Sequence, residues 1–222
     1  MFTPAIQYLV SLHIPLLQGD MPCIAVLRRE TKAGGDDVRV VKVDEIKGRE
    51  FTGDVLLPLG EMAQRLAQID GNSDIHAHLV FSGAAFGHGE IAQLMRADWP
   101  EESWSYVSVP AGAQLPDLVT TEESLPMNHF RVPRLALIGA LNLAYATPGR
   151  IAFVLPPDRV PPLMREFSEF SERTAKLPAN DPDAILEYVG EGRVMALATL
   201  IWHHLNAQRV RAGWAREYTN GP

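Results

Sequence analysis

A single cysteine, Cys23, occurs in the 222 residues, so the chain has no internal disulfide to form. Because it lies in the apolar run CIAVL, it reads as a buried structural thiol and not as a nucleophile. No apolar stretch approaches the roughly 20 residues that a membrane-spanning helix needs. The start of the chain lacks a charged-then-apolar leader pattern, and the expected location is the cytoplasm with no membrane contact. No Gly-Lys pair occurs anywhere, which excludes the phosphate-binding loop of an ATPase. Ser82 lies in a turn without the G-x-S-x-G elbow of a serine hydrolase. Basic residues are also in the minority, 20 Lys and Arg against 27 Asp and Glu, for a net charge of −7. A surface of that sign repels polyanions as a whole. Arg209, Arg211 and Arg216, interleaved with Trp214 and Tyr218, are the one local group that offers a weak DNA contact. A solvated, frayed end of the chain is the plainer reading of the same residues.

With 46% hydrophobic and 21% charged residues, the chain has the composition of one ordinary globular domain. We assign that domain to residues 1–205 and a basic, aromatic tail to 206–222. Residues 6–14 and 23–29 are β-rich runs around the turn signals of PLLQGDMP, and a second turn at 32–37 leads into VRVVKVDEI, giving three antiparallel strands in succession. Leu59, Met62, Ala63, Leu66 and Ile69 then recur at helical spacing. AHLVFSG is a nearly all-apolar strand that passes through a glycine-bearing turn, SGAAFGHG at residues 82–89, into the helical EIAQLMRA. WSYVSVP is a further strand. Residues 111–128 show no period and read as an exposed loop. A helix follows Val132-Pro133, IAFVLP is a short strand or arm, and Val160, Leu163, Met164, Phe167 and Phe170 mark another amphipathic helix. The last helix, GEGRVMALATLIWHHLN, buries a stripe at Val194, Leu197, Ala198, Ile201 and Leu205, with Gly190 and Gly192 loosening its approach. The expected fold class is α/β, a mixed sheet of three antiparallel strands and then β/α units, with helices packed on it.

Three groups of residues could carry chemistry. Asp74, His76 and His78 have the D-x-H-x-H spacing of a metal-binding strand, but three strands and a helix precede them and the chain is short for an eight-fold barrel, so solvent-facing histidines at a strand edge are the expectation. His203 and His204 point about 100° apart on a helix and cannot easily chelate one ion; one should be partly buried and the other solvated. Glu191, at the mouth of the last helix, either complements the helix dipole or ligates a metal.

The stretches YLVSLHIPLLQGDMPCIAVL, LVFSGAAFGHGEIAQLM and RVPRLALIGALNLAYATPGRIAFVLPPDRVPPLMREFSEF followed by GEGRVMALATLIW resemble the ribonuclease-H-like nuclease domain of phage terminase large subunits. The resemblance covers residues 6–205 and implies a ribonuclease-H-like mixed sheet. It implies carboxylates from three places holding two Mg²⁺ or Mn²⁺ ions about 4 Å apart. In this sequence the first-strand aspartate is replaced by His13, the later-strand acid by Ser82, and the Asp-Asp pair by Glu191-Gly192, while Asp20 matches an acidic residue of the first hairpin turn. The motor half that normally precedes this domain is expected to be lacking. The implied protein is a non-catalytic relative of phage-like origin, a virion structural, adaptor or assembly component that contacts other phage proteins, needs no cofactor and is incorporated into a particle. The alternative is an active nuclease with a rearranged site of Glu191, Asp20 and His13, to which Asp44 or Glu45 adds a ligand. Such a site would take Mg²⁺ or Mn²⁺, and its histidine would tilt it toward Mn²⁺ or Zn²⁺.

Overall fold

The computed structural model describes residues 6–15, 21–46, 76–82, 104–109, 117–119, 128–147, 149–176 and 191–219. The strands are β1 (Ile6–His13), β2 (Cys23–Lys32), β3 (Gly35–Glu45), β4 (His76–Ser82), β5 (Trp104–Ser108), β6 (Asp117–Val119), β7 (Asn128–Arg131) and β8 (Ala152–Phe153). The helices are α1 (Arg134–Ala146), α2 (Val160–Ala175) and α3 (Gly192–Thr219). All eight strands lie in one sheet of order β6-β7-β5-β4-β1-β2-β3-β8. β1, β2 and β3 are antiparallel neighbours, whereas β4 runs parallel to β1, β5 to β4 and β7 to β5. The chain is therefore a mixed α/β protein.

β1 and β4 are central, and their sequences show why. On β4, Leu79, Val80, Phe81 and Ser82 are all buried, so consecutive residues on opposite faces both leave solvent. β3 keeps its apolar side inward by a different device. Val26 pairs with Lys42 and Leu27 with Val40, which leaves Val41 as an extra residue. This bulge lets Val38, Val40 and Val43 join one core even though 40 and 43 differ by an odd number of steps.

The helices cover the face that carries Cys23, Ala25, Leu27, Val80, Val107 and Phe130. α3 lies across β1 and β2, with α1 and α2 packed against it. From Val194 to His203 every residue of α3 is buried, so its first ten residues or so are covered all round, not on one stripe. α1 contributes Leu137, Ala140, Leu141 and Ala144 at helical spacing. Tyr145 of α1 stacks on Phe153 of β8 at 4.5 Å between centroids and on Phe167 of α2 at 5.6 Å, tying the three elements together.

Several expectations change in detail. Within 111–128, read as an exposed loop, Asp117–Val119 forms β6 and pairs antiparallel with β7, which begins at Asn128. Gly192 has a steric task more than a loosening one: a Cβ there would lie 2.6 Å from Cys23 Sγ. Residues 206–219, set apart as a tail, continue α3. Ser82, expected in the glycine-bearing turn at 82–89, is the last residue of β4. The rest of that turn, the helices expected at 54–69 and 90–97, Gly190 and Asp20 lie outside the described residues.

Candidate functional site

Two parallel strands end side by side at the centre of the sheet. His13 closes β1, Ser82 closes β4, and the register pairs them directly. The backbone ladder continues one step further, where Ile14 N–H donates to the Ser82 carbonyl at 2.9 Å. On the helix-covered side His13 Nδ1 and Ser82 Oγ share a hydrogen bond of 3.0 Å, and both residues are buried. Burial, and then the positive charge of Arg134, push the His13 imidazole down to about 3. The ring is neutral across the physiological range, with the proton of the shared bond on either Nδ1 or the hydroxyl.

Arg134 is the first residue of α1, following Val132-Pro133, and its side chain is buried. It ion-pairs with Glu191, which is equally buried. Glu191 stands immediately before α3, and its carbonyl accepts the Met195 N–H at 2.9 Å, the first turn of that helix. Its carboxylate therefore meets both the positive end of the helix dipole and a guanidinium. Arg173 of α2 approaches the same carboxylate at 3.6 Å, and the Phe170 ring lies 4.3 Å from Arg134 Cζ. Glu191 thus stands where it complements the helix dipole, as one of its two readings expected, but buried and paired with Arg134.

A second polar group lies on the same side of the sheet. Ser105 Oγ of β5 bonds His78 Nε2 of β4 at 2.8 Å and His203 Nε2 of α3 at 3.1 Å. The two imidazoles stack with centroids 4.9 Å apart, and Phe130 meets His203 edge-on at 5.7 Å. His78, expected to face solvent, is half-buried in this network because β5 and α3 cover it. His203 is buried, while His204 is half-buried and held below the usual imidazole range, first by burial and then by Arg29. Asp74 and the side chain of His76 lie outside the described residues.

The acids considered as spare ligands are engaged elsewhere. Asp44 accepts from Arg159 Nη1 at 3.0 Å, and Glu45 lies 3.6 Å from Arg193 Nη2. Arg193 Nε also donates to Glu166 Oε1 at 2.6 Å, joining α3 to α2. Burial holds the Glu166 carboxyl above its usual range despite that arginine. Hard divalent ions are held by several oxygen ligands. Here one carboxylate is already matched to a guanidinium, and the histidine is a neutral ring bonded to a hydroxyl. Among the described residues no group of three or more His, Cys, Asp or Glu converges. The described residues at this corner do not by themselves make up a two-metal centre.

Of the residues singled out from sequence, His13 and Ser82 touch, and Arg134 couples them electrostatically to Glu191. Arg134 itself was missed. Its signal was present: it is the sole charge in RLALIGALNLAYA, an otherwise uncharged helix. Arg209 is exposed, and the side chains of Arg211, Trp214, Arg216 and Tyr218 lie outside the described residues. No helix among the described residues is long and apolar enough to cross a membrane. No family model matches the chain, and no curated protein matches it.

Proposed function

We propose that this chain is a ribonuclease-H-like protein of phage-like origin that does not cleave nucleic acid and acts through protein contacts, as a virion structural, adaptor or assembly component. The observation that carries the non-catalytic reading is the buried Arg134–Glu191 pair beside a neutral His13. A guanidinium there neutralises the carboxylate that a divalent ion would need, and repels such an ion. The fold reading is supported by the mixed sheet, in which three antiparallel strands, β1 to β3, lead and the parallel strands β4 and β5 follow, as the expected fold class has it.

Protein contact is supported by the surface. Leu135 and Leu143 are exposed two turns apart on α1, and Val154, Val160 and Met164 are exposed on β8's flank and on α2. Exposed apolar side chains suit a protein partner better than a phosphate backbone, as does a net charge of −7. The test is incubation of the purified chain with supercoiled plasmid in Mn²⁺ and in Mg²⁺, with the expected result that the plasmid stays supercoiled. Mn²⁺-dependent nicking that disappears in Glu191→Ala would overturn the proposal in favour of a rearranged nuclease. The partner half of the reading expects co-sedimentation with capsid or tail particles, and a chain that never enters them would refute it.

A further inference from the structure

The three helices meet at one point, and that point has the shape of a receptor for a planar cation. α2 supplies an aromatic face, Phe170, fully buried and 4.3 Å from Arg134 Cζ. The entrance to α3 supplies a carboxylate, Glu191, buried and bonded to Arg134 Nη2. α1 supplies the guanidinium. A ring under the face and a carboxylate at the edge recognise guanidinium in two ways, by the attraction of a cation to a π-system and by a charge-assisted hydrogen bond in the plane of the fork. An ammonium or a bare metal ion satisfies only the charge.

We propose that Phe170 and Glu191 form a guanidinium-binding site, that Arg134 is its tethered ligand, and that occupancy of this site holds the C-terminal half of α2 against α3. This goes beyond the functional reading and stands whether or not that reading holds. The N-terminal half of α2 has its own tie, the Glu166–Arg193 bond of 2.6 Å, and Leu163 in the core. Loss of the ligand should therefore loosen residues 167–175 selectively. Arg173, which approaches Glu191 at 3.6 Å and Glu169 at 3.3 Å, belongs to the same half of the helix and should loosen with it.

The experiment is hydrogen exchange on the full chain carrying Arg134→Ala. Expected is a rise of about tenfold in exchange over 167–175, with residues 194–203 of α3 unchanged. Guanidinium chloride at about 20 mM, far below its denaturing range, should reverse most of that rise by filling the vacated site. Equal concentrations of urea, NaCl or MnCl₂ should not, and guanidinium should have no such effect on Arg134→Ala combined with Glu191→Gln. Failure of guanidinium to restore protection in a folded Arg134→Ala protein overturns the proposal, as does equal restoration by Na⁺ or Mn²⁺. Should Arg134→Ala not fold, Arg134→Lys decides. It keeps the charge without the planar fork, so the proposal expects fast exchange over 167–175, and wild-type protection there overturns it.

Discussion

The tip of the β2–β3 hairpin and the entrance to α3 use the same chemistry in opposite surroundings. At the hairpin, Arg29 pairs with Asp36, and Lys32 and Arg39 both pair with Asp37, at 2.5 to 2.6 Å. These are good geometries on side chains that stay in contact with water, from 22% accessible at Asp37 to 46% at Arg39. The hydrogen bond from Arg39, then that from Lys32, hold the Asp37 carboxyl well below the usual carboxylate range. Water screens what these pairs gain, and ordering long side chains offsets much of the rest. At α3 a single pair, Arg134–Glu191, lies with both side chains at 4% exposure or less. There the attraction is unscreened, but each charge left water to reach it, so either partner alone is a liability. Geometry is similar at the two places; solvent access decides which pair the fold depends on.

That contrast can be broken at its strong end first. Arg134→Met should cost about 3–5 kcal/mol, because it leaves the Glu191 carboxylate buried with Arg173 alone nearby. In a chain of this size that lowers Tm by roughly 10 °C. Arg134→Met with Glu191→Leu should recover most of the loss in the same melting experiment, since an apolar pair has no desolvation to offset. A double variant as unstable as the single one would mean that the pair contributes more than mutual neutralisation.

Acid should probe the same corner. His13 titrates near 3 when folded and near 6.5 when unfolded, so the unfolded chain binds the extra proton between those values. The stability that comes from keeping this ring neutral is complete above about pH 6.5. It should fall steadily as the pH drops below that, levelling off near pH 3. Urea unfolding midpoints at a series of pH values would show the slope, and His13→Asn should flatten it. The hairpin carboxylate Asp37 enters only at the acid end of that window, from about pH 4 downward, where the unfolded carboxyl takes up a proton that the folded one, held low by Arg39 and Lys32, still refuses.

A smaller effect is expected at Gly192, where an added methyl meets Cys23 Sγ. Gly192→Ala should destabilise by about 1–3 kcal/mol through overpacking, and Cys23→Ala in the same chain should return part of it. Chemical denaturation of the two variants separates this steric cost from any change in helix propensity. At the weak end, Asp37→Asn should leave Tm unchanged, and raising salt should have no further effect on that variant. A clear drop in Tm would show that the hairpin tip is less solvated than its exposure suggests.

How much was legible in the sequence follows the range of the interactions involved. β1 to β5 carry their own signal in apolar runs bounded by turn residues, and α1, α2 and α3 carry helical spacing. β8 falls within IAFVLP, read as a short strand or arm, whereas β6 and β7 have three and four residues and owe their existence to the neighbour they pair with, so a local pattern could not announce them. The positions of His13, Ser82 and Glu191 were legible, but their partners were not. Arg134 lies 57 residues from Glu191, and Ser105 lies 27 from His78 and 98 from His203. Reading His78 as solvent-facing failed because burial of a strand residue is decided by what packs over it, which the strand itself does not encode.

The register of β1 against β4 limits how this corner can change. Sliding either strand by one residue would turn every side chain on it to the opposite face, exchanging the packing of its two buried sides. Positions 13 and 82 are therefore permanent neighbours, whatever residues occupy them. Descent can alter the chemistry at this spot only by replacement in place, one side chain at a time. Each intermediate must keep the two groups mutually satisfied, as a hydroxyl and a neutral imidazole do here.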